Sequence, residues 1–327
     1  MSAMTFWAMV AAVFGGGYLL ALGVGFWGGR VFDRGDFERG ARLLSFARLI
    51  MPERIGGVLR LLVANYSGRT EQSVEIATIL ASKKHDLYTL NVCVNAFTSA
   101  GHYGSALQVG AASETAPTKQ SLTSDWALLQ TNLAEAEYNL GRWEDALARL
   151  ERVVAMAPNR HRLAQTGERL QRAWILSHLG RSVEARESFQ QADENALPHC
   201  FRAEYHYTNA VLSLSEHQPL KALEAVSTGL AIAKRASSHR NGLFLRARAF
   251  VAVDDVQKAL ADFECAAASA YRAQGRDGLL AWGDTLLALG RTAEAKAAWT
   301  MAAQRDPESA SAQIALTRLL SQPQARG

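Results

Sequence analysis

Cysteine is scarce in this 327-residue chain: Cys93, Cys200 and Cys265 lie far apart, with no CxxC pair. An odd, dispersed set excludes a disulfide framework and a cysteine-based zinc site. It suits packing in a reducing compartment. Proline is also scarce, at seven residues, and 49% apolar content with 20% charge is not the composition of a disordered chain. The length is ample for a core without metal or disulfide staples. Catalytic signatures are missing as well. The eight histidines show no HExxH, HxxH or HxH spacing, and there is no GxSxG, Walker loop or kinase set. Residues Gly23 to Gly28 spell GxGxxG, but no strand–helix–strand unit surrounds them, so a dinucleotide site is set aside. A non-catalytic chain without cofactor or metal is expected.

Charge is absent from residues 1–29 and concentrated just beyond them. Residues 30–69 carry eight arginines against four acids, a net of +4, and residues 70–327 balance 27 basic against 27 acidic side chains. The pI of 9.0 therefore belongs to a short collar, and a neutral remainder speaks against nucleic-acid binding. Phe6 to Gly29 is uncharged throughout. As a helix it would reach about 36 Å, enough for a hydrocarbon core of about 30 Å. The pairs Phe6–Trp7 and Phe26–Trp27 would sit at the two headgroup levels. This predicts one N-terminal transmembrane helix. A cleaved signal peptide would want a basic start, which Met1–Thr5 lacks. The arginine bias places the N-terminus outside and residues 30–327 in the cytoplasm, with the collar against anionic lipid headgroups. Gly17, Ala21, Gly25 and Gly29 form one small-residue stripe suited to helix packing, in a homo-oligomer or against another protein's helix. The plain alternative is that glycine is common in membrane helices.

Beyond residue 35 the chain repeats itself. Gly101…Ala106, Gly141…Ala146, Gly180…Ala185 and Gly290…Ala295 each place alanine five residues after glycine. An apolar helical pattern precedes each glycine and another follows each alanine. In the 127–158 stretch, Leu129, Leu133, Ala134 and Leu140 make one apolar face. Ala146, Leu150, Val153 and Val154 make the next, and Pro158 stops it. Weaker copies carry His217 or Asp254 at the turn. Gly68 with Ser73 marks another, and Gly35 to Pro52 reads as half a repeat.

These motifs resemble the tetratricopeptide repeat, an antiparallel helix pair of about 34 residues. The resemblance rests on Leu133, Ala134, Gly141, Trp143, Ala146, Leu150 and Pro158, on Trp282, Gly283, Gly290, Ala295, Trp299, Ala302 and Pro307, and on Ala173, Gly180, Ala185, Phe189 and Ala192. It implies an all-α fold: a right-handed α-solenoid of antiparallel helix pairs. The expected organisation is an anchor at 1–29 and an arginine-rich segment at 30–56. A solenoid of about seven units follows at 57–308, with an exposed loop near 112–125, and 309–327 forms a capping helix and tail. Asp306 and Pro307 are expected to start that last helix, with Ile314, Leu316, Leu319 and Leu320 on its apolar side.

By the same resemblance, the first helices of the pairs line a concave groove that binds a peptide or helix of a protein partner. The candidates are Asn91, Asn95, Glu135, Tyr138, Trp174, Tyr207, Arg248 and Asp284. The aromatic ones would supply rigid apolar contacts, and Asn or Arg would bond a backbone or carboxylate. For each, packing between repeats is the competing role. The family's carboxylate clamp pairs Lys with Asn, and no lysine accompanies Asn91 and Asn95. With an anchor, an arginine collar and repeats together, the chain resembles bacterial membrane-tethered repeat proteins that serve envelope assemblies as scaffolds or adaptors. Its 28 arginines against 7 lysines suit a GC-rich bacterial genome. Two alternatives stay open: the same solenoid exported to the periplasm, and an enzyme or regulator using the array as a platform.

Overall fold

The structure is a computed structural model that describes residues 39–40, 53–66, 68–83, 86–111, 124–159, 161–233, 236–268 and 276–321. The anchor at 6–29, its stripe Gly17, Ala21, Gly25 and Gly29, most of the 30–56 segment and residues 112–123 of the expected 112–125 loop lie outside the described residues, while Ser124 and Asp125 already belong to a helix. Among the described residues no helix is long and apolar enough to cross a membrane.

Fifteen α-helices are described, fourteen of them in seven consecutive pairs. Unit one is α1 (Glu53–Tyr66) and α2 (Thr70–Ala81). Unit two is α3 (Leu87–Ala100) and α4 (Tyr103–Ala111), and unit three is α5 (Ser124–Asn139) and α6 (Trp143–Met156). Unit four is α7 (Arg162–His178) and α8 (Ser182–Gln190), and unit five is α9 (Arg202–Ser215) and α10 (Pro219–Ile232). Unit six is α11 (Ala236–Ala252) and α12 (Val256–Ala267), and unit seven is α13 (Arg276–Ala288) and α14 (Thr292–Arg305). The last helix, α15 (Ala310–Ser321), stands alone. The chain is thus an all-α solenoid of paired helices.

One turn joins every pair. Its central residue has positive φ, between 57° and 84°: Gly68, Gly101, Gly141, Gly180, His217, Asp254 and Gly290. In unit three the Gly141 N–H reaches the Tyr138 carbonyl at 3.0 Å and the Arg142 N–H reaches Glu137 at 2.9 Å, which closes α5. The Arg142 carbonyl then accepts from the Ala146 N–H at 3.0 Å and so begins α6. The same pair of steps recurs in all seven units. The residue that donates to the opening carbonyl points into the helix crossing. Ser73, Ala106, Ala146, Ala185, Ala222, Ala259 and Ala295 are each at most 1% exposed. The five-residue spacing in the sequence is therefore the geometry of a turn followed by a crossing too tight for a large side chain.

First helices stack on one another along the chain, α1 on α3, α3 on α5, and so on to α13 on α15. Second helices pack on their own partner and the next first helix instead. The first helices are therefore the inner wall of a curved array and the second helices its outer wall. Large residues fill what small ones leave. A Cβ at Gly283 would stand 2.3 Å from the Trp299 ring, and one at Gly278 would stand 2.1 Å from Phe244. Trp143, two residues after its turn glycine, reaches His178 of the next unit with ring centroids 4.1 Å apart.

Several expectations are corrected. Val154 is exposed, because α6 turns only Ala146, Leu147, Leu150 and Val153 inward. Cys265 is exposed, whereas Cys93 and Cys200 are buried. On α15 the buried face is Ser311, Ala312 and Ala315, with Leu319 partly buried, and Ile314, Leu316 and Leu320 are exposed. Its N-terminus is capped by Ser309, whose Oγ accepts from the Ala312 N–H at 3.1 Å. The Asp306 side chain is engaged elsewhere. Its Oδ2 accepts from the Tyr103 hydroxyl at 2.7 Å, and the neighbouring Glu308 Oε2 accepts from the Gly104 N–H at 2.9 Å. The end of unit seven thus touches unit two.

Candidate protein-binding inner wall

The inner wall is best indexed from the turns. Six residues before each positive-φ residue stand Leu62, Asn95, Glu135, Trp174, Val211, Arg248 and Asp284. Every one is half-buried. Side chains one helix deep in the stack, yet reached by solvent, form a continuous stripe along the array. Five of the eight expected groove residues fall on it.

Asn91 lies ten residues before its turn and is half-buried beside the stripe. Amides bridge the first helices here. Asn65 Nδ2 donates to Asn95 Oδ1 at 2.8 Å, and Asn132 Nδ2 donates to Asn91 Oδ1 at 2.7 Å. Tyr138 is half-buried and meets the His178 ring edge-on at 5.7 Å, so it packs between units three and four. Trp174 is half-buried against the unit-five core. Arg248 forms no ion pair among the described residues, whereas Asp284 accepts from Trp299 Nε1 at 3.1 Å and pairs with Arg318 of α15 at 2.9 Å.

Tyr207 is the exception. It is 0% exposed and cannot touch a groove ligand. Two glycines make room for it. A Cβ at Gly229 would lie 2.5 Å from its ring, and one at Gly242 would lie 2.4 Å from its hydroxyl. Sequence reasoning also passed over Leu62 and Val211. They carry no distinctive chemistry, but counting back from the turns would have found them.

Other charged pairs tie helices together away from the stripe. Arg149 forks onto Glu137 at 2.6 and 2.9 Å and reaches Gln130 at 2.7 Å, with both members of the pair nearly buried. Arg246 forks onto Asp262 at 2.6 and 2.8 Å, and this hydrogen bonding raises the Arg246 pKa further. Arg186 of α8 spans to Asn209 of α9 and to Glu216, the residue that ends that helix. Beside that bridge opens a polar cavity of about 570 Å³, lined by Arg186 of α8, by His206, Asn209 and Ser213 of α9, and by residues of α10. Lys221, Glu224 and Thr228 line one side of it. Burial pushes the Cys93 thiol up to about 12, so it stays protonated and unreactive at neutral pH.

Residues 130–160 and 277–309 match the tetratricopeptide repeat family model. They fall in units three and seven. No curated protein matches the chain by sequence. Among solved structures, Rap protein complexed with competence and sporulation factor is similar at a TM-score of 0.59 and 12% identity, over 82% of this chain and 80% of that one. A tetratricopeptide repeat protein from Parabacteroides merdae aligns over 81% of this chain and 98% of that one, at a TM-score of 0.46 and 14% identity. At these identities the likeness to Rap protein speaks for the fold.

Proposed function

We propose that the inner wall binds an extended segment or helix of a protein partner, and that the chain is a non-catalytic scaffold. The stripe at the sixth position before each turn carries the reading. It offers seven half-exposed side chains in register, and their chemistry changes from unit to unit. A succession of aliphatic, amide, acid, indole, aliphatic, base and acid is an address that one partner segment can match. Asn91 and Asn95 spend their carbonyl oxygens on neighbouring helices, which leaves their Nδ2 amides to donate to a partner backbone. Trp174 offers a rigid apolar contact and Arg248 a carboxylate anchor. The structure of Rap protein complexed with competence and sporulation factor supports reading such an array as a cradle for a partner.

The same proposal places the chain at the bacterial inner membrane. Residues 6–29 would act as a single span and the array would face the cytoplasm, serving an envelope assembly. What supports this is the uncharged run followed by the arginine collar.

Crosslinking in membranes, followed by capture and mass spectrometry, tests the first part. Trp174→Ala with Arg248→Ala should cut partner recovery by roughly tenfold or more at unchanged helical content. Recovery equal to that of the parent chain would sink the inner-wall reading. For the second part, phosphatase fused to the C-terminus should be inactive, and an active fusion reverses the orientation.

A further inference from the structure

The contact between units two and seven has geometry of its own. First-to-second turns run along one edge of the array, and second-to-first connections run along the other. Tyr103 and Gly104 follow the turn of unit two, and Gly141 is the turn of unit three. Asp306 and Glu308 belong to the connection after unit seven, and Ala310 is the first residue of α15. The contact therefore joins opposite edges, as happens when a superhelix completes one turn with a pitch no greater than the height of a helix pair.

The seam is made of specific groups. Tyr103 is 0% exposed and Asp306 1%, and they share the 2.7 Å hydrogen bond across 203 residues of sequence. The Gly104 N–H belongs to the first turn of α4, where a helix cannot satisfy its own donors, and Glu308 Oε2 takes it at 2.9 Å. A Cβ at Gly141 would lie 3.0 Å from that of Ala310, so backbone and alanine meet there directly. The seam is small, two hydrogen bonds and one alanine contact, and parting it brings the core residue Tyr103 and the buried Asp306 toward water. A contact of this size can part locally while the units it joins stay folded.

We infer that this seam is a latch that closes the inner wall against a partner approaching from the side. The inference rests on the inner wall being the binding surface. With the seam shut, units two to seven form an unbroken circuit. An extended strand can then reach the stripe along the axis. A helix or folded segment reaches it only when the Tyr103–Asp306 and Gly104–Glu308 bonds part. The latch is thus an autoinhibitory contact that selects partners by width.

The test needs no partner. A reporter thiol is placed on the stripe by Val211→Cys in full-length protein carrying Cys265→Ser, since Cys93 and Cys200 are buried. Its labelling by a small maleimide and by a long polyethylene-glycol maleimide is timed, and amide exchange is followed at Gly104. The Gly104 amide should be protected in the parent and exchange roughly tenfold faster in Glu308→Ala. In that variant, and in Tyr103→Phe, the long reagent should react several-fold faster while the small one changes little. A Gly104 amide that exchanges freely in the parent overturns the seam. Freed exchange in Glu308→Ala without faster labelling by the long reagent overturns the gate. If Tyr103→Phe loses its fold, Glu308→Ala carries the test alone, because its side chain is exposed. Loss of partner capture in the Trp174 and Arg248 variants is read separately, so the two readings fail independently.

Discussion

His217 and Asp254 hold φ of 57° and 63° at positions where five other units place glycine. A Cβ in that region crowds the neighbouring carbonyl, at a cost of about 1–2 kcal/mol, less for Asp. His217→Gly should therefore stabilise the array by up to about 1 kcal/mol, the gain trimmed by the greater freedom of glycine in the unfolded chain. Gly180→Ala is the reverse experiment. No atom lies within 4 Å of its would-be Cβ, so its loss of about 1 kcal/mol reports the backbone alone. Urea unfolding followed by circular dichroism reads both. Equal stability of His217→Gly and parent would mean that the histidine side chain recovers its strain elsewhere. At this scale the sequence was legible: the spacing from turn to buried small residue, alanine in six units and Ser73 in the first, located all seven turns, including the two without glycine. It was not legible for Tyr207. Its burial depends on Gly229 and Gly242 meeting from α10 and α11, which no periodicity on α9 reveals.

Helices are tied to their partners by ion pairs whose polarity is free to reverse. Arg149 on α6 and Asp262 on α12 both stand eight residues after their turns. One is the base of its pair, with Glu137, and the other the acid, with Arg246. Their partners stand a helical turn apart, Glu137 four residues before its turn and Arg246 eight, so the same outer position is used with either sign of charge. Because Arg149 and Glu137 are nearly out of solvent, Arg149→Ala should destabilise by about 3 kcal/mol, leaving a buried carboxylate without its partner. Arg181→Ala removes a fork onto Glu184 that is open to water and should leave the unfolding midpoint within experimental error. Similar losses for the two would mean that α5 and α6 relax to hydrate Glu137. The pairing is invisible in sequence, since Glu137 and Arg149 belong to no helical i,i+4 pattern. They meet only because the turn at Gly141 folds α6 back on α5.

Across the whole molecule, the seven half-exposed positions and the seam differ in how they could be read. The stripe follows from local periodicity, and five of its members were expected. Leu62 and Val211 were not, because an aliphatic residue in an amphipathic helix is indistinguishable from core until the array's curvature is known. The cap at α15 was expected from its sequence, but the assignment of Asp306 as its first residue failed. The carboxylate that would have capped the helix is spent on Tyr103, and Ser309 takes its place. No local rule anticipates such a substitution, because the competing partner is 203 residues away.

That distance bears on how the molecule assembles and frays. Nearly all contacts join a helix to its immediate successors, so folding can start in any unit and spread by short loop closures. The seam alone must wait until six units are in place, because its loop-closure entropy is repaid by only a few bonds. Once formed, it removes a free end. Units two to seven then lose cooperativity only by breaking an internal junction.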